Sequence, residues 1–212
     1  MQTTRHRHHH RSAALVAAGL GLLLLGVLLL EGERAEVPGW EADLFSAING
    51  WSSSVETAAI VVMQAGNFWA IVIVAGVLLL ARQRRAALAV ALAGTLAWAG
   101  AKAVKRLIER GRPFDLLDAV TVREDGITGL GFVSGHTATA FAIATALLPW
   151  LPRRWRWLPF AVACVVGLAR VYVGAHLPLD VIGGAGLGIA CGALATWIVG
   201  YPDRGASLPD DS

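Results

Sequence analysis

Three short stretches put ionisable side chains where the surrounding sequence is apolar. In "KRLIERGRP", Lys105 is followed after six residues by Arg112 and Pro113. In "VSGHT", Ser134, Gly135 and His136 open an apolar run. In "ARVYVGAHLPLD", Arg170 precedes His176 by five intervening residues, and Asp180 stands four after that histidine. The set supplies three fixed cations, two imidazoles and one carboxylate. Lys105, Arg112 and Arg170 suit a group of high negative charge density, and the arginines can grip phosphate oxygens with two N–H groups at once. Ser134 and Gly135 at a helix start offer backbone N–H groups and the positive end of the helix dipole, a ready anion site. Gly135 lets an oxygen approach the backbone because no Cβ intervenes. His176 and Asp180 share a face if the chain turns helically there, with Pro178 suited to the first turn. Asp180 could then fix one tautomer of His176 and leave its other nitrogen as a nucleophile. His136 has no evident carboxylate partner and is suited to protonating a leaving oxygen.

The elements that must position these groups are apolar. Of 212 residues, 56% are hydrophobic and only 16% charged, and the mean hydropathy is +0.59. That composition points to an integral membrane protein, and backbone satisfaction in lipid points to helices because no ten-residue alternating pattern is present. Six apolar segments are predicted at about 12–30, 56–81, 86–105, 132–151, 157–175 and 178–200, close to the ~20 residues a spanning helix needs. The fold expected is therefore an all-α bundle of six transmembrane helices. It comprises a membrane domain over 12–201, a basic cytoplasmic tail over 1–11 and a C-terminal tail over 202–212. The first run reads as a retained helix, and the histidines at 6 and 8–10 as part of the basic tail. Cys164 and Cys191 read as small buried side chains. The net charge of +3 lacks the clustered basic face and aromatics of a nucleic-acid binder, so no nucleic-acid partner is expected.

Loop charge gives an orientation. The basic N-terminus, "RQRR" at 82–85 and "PRRWRW" at 152–157 belong in the cytoplasm by the positive-inside rule. The acidic stretch with Trp40 and Trp51 then faces outward as an interfacial segment at about 38–54. All three polar clusters fall at the outer helix ends, which predicts a site at the extracytoplasmic face. The outer loop at about 106–131 carries Arg106, Arg110, Arg112 and Arg123 on the unexpected side, and an anionic ligand is the economical reason.

The spacing resembles the signature of the type 2 phosphatidic acid phosphatase superfamily, the lipid phosphate phosphatases, whose active site is shared with vanadium haloperoxidases. That signature is Lys, six residues, Arg-Pro; then Pro-Ser-Gly-His; then Ser-Arg, five residues, His, three residues, Asp. Here it spans Lys105 to Pro113, Val133 to His136, and Ala169 to Asp180. Val133 stands in place of proline and Ala169 in place of serine, and neither change removes a nucleophile, an acid or a phosphate cation.

The loop charges place both termini in the cytoplasm, and the resemblance implies an enzyme of the bacterial inner membrane. It would hydrolyse a phosphomonoester or diphosphate of a membrane lipid, such as phosphatidic acid, phosphatidylglycerophosphate or undecaprenyl diphosphate, without metal or other cofactor. The catalytic residues implied are His176 as nucleophile, His136 as acid and then base, and Asp180 as orienting group. Lys105, Arg112, Ser134, Gly135 and Arg170 would bind phosphate. Lys102, three residues before Lys105 on one helix face, could meet a second phosphate; the competing reading has it reach past Trp98 to the surface. The alternative function is a lipid-phosphate binder or transporter of the same fold without hydrolysis.

Overall fold

In the computed structural model, residues 37–201 are described, together with Val16, Gly19, Leu20 and Leu23. The expected basic tail, most of the first apolar segment and the C-terminal tail lie outside the described residues. Eight α-helices occur from residue 39 onward: α1 (Gly39–Asn49), α2 (Glu56–Met63), α3 (Phe68–Leu80), α4 (Arg84–Ile108), the single turn α5 (Pro113–Leu116), α6 (Gly135–Leu147), α7 (Trp157–Tyr172) and α8 (Pro178–Val199). No strand occurs among the described residues, which fold as helices and connecting turns, as the composition led one to expect.

Helix ends follow from local chemistry. Helix α4 stops where Glu109 takes a left-handed conformation at φ 53°, and Pro113 then opens α5 because its missing N–H costs nothing at that position. Ser134 caps α6, its hydroxyl accepting from the Thr137 N–H. Pro178 opens α8, and the Asp180 carboxylate accepts from the Leu177 N–H at 2.9 Å, so the same side chain caps the helix and faces the site.

The expected segment at 56–81 is broken. Helices α2 and α3 are separated by a tight turn at Gln64–Gly66 and meet with a bend of 65°. Gly66 lies directly against the carbonyl of His136, too close for any Cβ, and Asn67 caps the new helix by accepting from the Ala70 N–H. Among the described residues, two stretches are long and apolar enough to cross a bilayer, Arg84–Leu116 and Pro178–Val199, or three if the bent pair counts as one span. Helices α6 and α7 have 13 and 16 residues.

Helix α6 is central, packed by α4, α7 and α8. Its contact with α8 is made by small residues. A Cβ on Gly184 would sit 2.6 Å from the Ser134 carbonyl oxygen, one on Gly188 would collide with the Ala138 carbonyl, and one on Gly192 would meet Thr145 at 2.6 Å. Glycines spaced by four let two backbones touch, the packing that holds helices together where lipid removes the hydrophobic drive. Gly19 approaches Gly186 and Ala190 of α8 in the same way.

The outer surface is apolar, with Trp69, Ile73, Leu80, Trp157 and Trp197 all at least half exposed. This outward greasiness corrects the reading of the cysteines: Cys164 is exposed and Cys191 half-buried, both as free thiols. A helix facing lipid gains nothing by turning a small apolar group inward. Helix α1 is two-faced. Trp40 and Leu44 are exposed, Phe45 and Ile48 are buried, and Glu41 is fully enclosed.

Candidate active site

Helices α4 and α7 end, and α6 and α8 begin, at one end of the bundle. Their antiparallel order brings Lys105, Arg112, Ser134, Gly135, His136, Arg170, His176 and Asp180 to that end, although up to 75 residues of chain separate Lys105 from Asp180.

His176 is enclosed between two partners. Its Nδ1 lies 3.4 Å from Asp180 Oδ2, and its Nε2 lies 3.3 Å from Arg112 Nη1. A guanidinium can only donate, so Nε2 must present its lone pair and Nδ1 carries the proton toward Asp180. Burial, and then the positive charges of Arg170, Lys105 and Arg112, push the imidazole well below its ordinary value of 6.5, which favours the neutral ring. His136 is half-buried near the His176 ring, and neither of its ring nitrogens has a hydrogen-bond partner among the described residues.

The cations are held by the loop at 106–131 and the elements beside it. Arg112 donates from Nε to Gly129 O at 3.0 Å, from Nη2 to Thr128 O at 2.9 Å and from Nη1 to Ala175 O at 2.8 Å. Lys105 Nζ donates to the carbonyls of Leu130 and Gly131. Arg170 is 4% exposed and its Nη1 donates to Glu124 Oε2 at 2.6 Å and to Met63 Sδ at 3.2 Å, while its Nε is buried without a partner. An unpaired buried guanidinium N–H costs free energy unless a ligand takes it up.

At the start of α6, a Cβ on Gly135 would meet nothing nearer than Ala101 Cβ at 3.9 Å. Packing therefore does not demand glycine there, and the space above it is open. The expectation that Ser134 offers a free backbone N–H is corrected. That N–H donates to Asp180 O at 2.9 Å, and the Ser134 hydroxyl is engaged by Thr137 Oγ1 at 3.0 Å. The cap residue is thereby tied to the first turn of α8, which leaves the amides from Gly135 onward as the ones that could face a ligand.

Not every cation expected to meet an anionic ligand is placed for one. Arg110 is turned to carboxylates, reaching Glu41 Oε2 at 2.6 Å and Asp180 Oδ1 at 3.0 Å. Arg123 stacks on Tyr172 at 4.3 Å and donates to the Tyr172 carbonyl at 2.8 Å, which ties the loop to α7. Arg106 is exposed. Lys102 is also exposed, its ammonium 3.5 Å from the Trp98 ring centroid. Glu41 had no signal in the sequence beyond lying in an acidic stretch, and Glu124 had none in a loop read for its arginines, because each finds its partner only through tertiary contact.

Comparison with known proteins places these observations in a wider group. The sequence profile described as the PAP2 superfamily matches residues 82–204. The decaprenylphosphoryl-5-phosphoribose phosphatase of Mycobacterium tuberculosis is 33% identical over 138 residues, which is 64% of this chain and 74% of that protein. Among solved structures, LpxE of Aquifex aeolicus superposes with a TM-score of 0.68 at 28% identity, over 73% of this chain and 93% of that one. The first transmembrane PAP2-type phosphatidylglycerolphosphate phosphatase from Bacillus subtilis superposes with a TM-score of 0.66 at 21% identity, over 85% of this chain and 95% of that one, a likeness of fold.

Proposed function

Because the chain belongs to the PAP2 superfamily, we propose that it is a lipid phosphate phosphatase of the bacterial inner membrane working through a phosphohistidine. In this reading it crosses the bilayer six times, with both termini cytoplasmic and the site at the extracytoplasmic face. The observation that carries the reaction is the orientation of His176, whose Nε2 lone pair faces the cation cluster while Nδ1 faces Asp180.

In the first step, His176 Nε2 attacks phosphorus and the bond from phosphorus to the lipid-side oxygen breaks. His136 gives its proton to that oxygen, and Asp180 stabilises the positive charge that grows on the His176 ring. In the second step, water attacks phosphorus and gives its proton to His136. The N–P bond breaks, returning His176 and releasing inorganic phosphate. Lys105, Arg112, Arg170 and the amides at Gly135 bind the equatorial oxygens, where transition-state charge is spread. The unpartnered Arg170 Nε and the open space above Gly135 both support a phosphate at this place. No metal takes part in these steps.

A lipid substrate is supported by an apolar cavity of about 550 Å³ between α3, α6 and α7, lined among others by Ala140, Ala144, Ile143 and Trp69. Ala140 and Ala144 follow His136 at intervals of four on α6, so the cavity lies along the helix face that carries that histidine. A diacylglycerol or polyprenyl chain matches it in chemistry, which makes phosphatidic acid, phosphatidylglycerophosphate and polyprenyl diphosphates the substrates to compare.

The test is phosphate release from a panel of these lipids by purified protein in detergent with chelator present. Release from at least one lipid, lost in His176→Ala, is expected. Near-normal release by a folded His176→Ala protein would overturn the assignment of the nucleophile. Activity on no lipid, with retained binding of lipid phosphate, would favour the non-hydrolytic reading. Lys102→Ala belongs in the same panel: an unchanged ratio of diphosphate to monophosphate activity would remove it from the site.

A further inference from the structure

We propose that Glu41 and Arg110 form a positioning relay that holds Asp180, and through it His176, for attack on phosphorus. The inference rests on the reading of His176 as nucleophile and adds two residues that touch neither substrate nor the reacting atoms.

Glu41 is fully buried on a helix whose adjacent Trp40 is half exposed. A carboxylate in such a place is costly unless it is paired and fully hydrogen-bonded. Both its oxygens are satisfied. Oε2 takes Arg110 Nη2 at 2.6 Å, and Oε1 takes Arg110 Nη1 at 3.3 Å together with the Leu179 N–H at 2.8 Å. The same Arg110 Nη1 reaches Asp180 Oδ1 at 3.0 Å. Asp180 Oδ2 is then left for the Leu177 N–H at 2.9 Å and for His176 Nδ1 at 3.4 Å. Glu41 thus fixes the first turn of α8 through its backbone and the Asp180 carboxylate through Arg110.

Charge completes the case. Arg110 alone beside Asp180 would neutralise it and weaken its hold on a cationic imidazole. Glu41 shares that guanidinium, so the trio of Glu41, Arg110 and Asp180 keeps one net negative charge beside the ring that becomes positive when the N–P bond forms. The relay acts in the transition state, and its loss falls on kcat and spares KM.

The test is a double-mutant cycle of Glu41→Gln, Arg110→Gln and the pair, with Glu41→Asp and His176→Ala alongside. Turnover of the preferred lipid phosphate is measured per folded, monodisperse protein in detergent. Glu41→Gln is expected to lower kcat about 10- to 100-fold, the range for groups that orient a reacting side chain, with KM changed less than about twofold. The double variant should be no slower than Arg110→Gln, and Glu41→Asp should recover part of the loss. A Glu41→Gln kcat within about twofold of wild type, or losses that multiply in the double variant, would overturn the relay. If Glu41→Gln yields no folded protein, Arg110→Lys decides, since it keeps the charge and loses the fork: lowered kcat at constant KM supports the relay and unchanged kcat overturns it. Loss of turnover in His176→Ala with Glu41→Gln unaffected sinks the relay alone. An active His176→Ala sinks the nucleophile and the relay with it.

Discussion

Replacing Glu124 with Gln should make the protein bind phosphate more tightly. Glu124 Oε2 lies 2.6 Å from Arg170 Nη1, so a carboxylate of the protein already occupies a guanidinium assigned to substrate. Its chain neighbour Arg123 is stacked on Tyr172. An incoming phosphate must displace this carboxylate or share the guanidinium with it. A hydrogen bond to a charged partner contributes about 1.5–3 kcal/mol, and the lower end applies because the Glu124 side chain is 24% exposed. About 1.5 kcal/mol corresponds to about tenfold in affinity. Gln keeps the shape and removes the charge, so the inhibition constant for vanadate should fall about tenfold. The unliganded protein should also melt a few degrees lower, about 3–6 °C, because Arg170 loses its counter-charge. The assay pairs vanadate inhibition of phosphate release with thermal melting, with and without vanadate. Inhibition unchanged or weakened in Glu124→Gln would refute the reasoning, because Arg170 would then not be shared between carboxylate and phosphate.

Gly135→Ala should fold normally, since its Cβ would meet only Ala101 at 3.9 Å, yet lose at least about tenfold in kcat/KM by crowding the phosphate; melting temperature and kinetics together check it. Gly188→Leu should fail to give monodisperse protein on size exclusion, because even a Cβ there would lie 2.7 Å from Phe141 Cβ. His176 titrates in the folded protein well below its ordinary value of 6.5, so its contribution to stability is present above that pH and is lost as pH falls through it into acid. Melting temperature measured against pH should show this slope, and His176→Gln should flatten it.

The residues that cluster were legible where their spacing lies within one turn or one motif. His176 and Asp180 are four apart, and Lys105 and Arg112 stand on either side of one helix end. The loop-charge orientation already put all three stretches at one end of the bundle. What the sequence hid were partners brought together only by folding. Glu41 and Arg110 are 69 residues apart, and Glu124 and Arg170 are 46 apart. Arg110 and Arg123 looked alike as outward cations, and only tertiary contact distinguishes one turned to carboxylates from one stacked on a ring. The break between α2 and α3 was masked because apolarity continues through it. Its local marks, Gly66 and Asn67, were present in "MQAGNFW" and acquire meaning only once the His136 carbonyl lies against the glycine.

The run of glycines at 184, 188 and 192 has a mechanical consequence. Two helices whose backbones touch at three successive turns cannot slide, tilt or part without losing all three contacts at once, so α6 and α8 behave as a single plank. His136 rides on one edge of that plank, and the Asp180 that fixes His176 rides on the other. In the proposed reaction, the separation of proton donor and nucleophile is therefore gauged by backbone contacts that begin beside the site, at Gly184 against the Ser134 carbonyl, and run down the bundle. If a lipid phosphate is the substrate, as proposed, room for it must come from the loop at 106–131 and the jointed pair α2 and α3 rather than from this gauge.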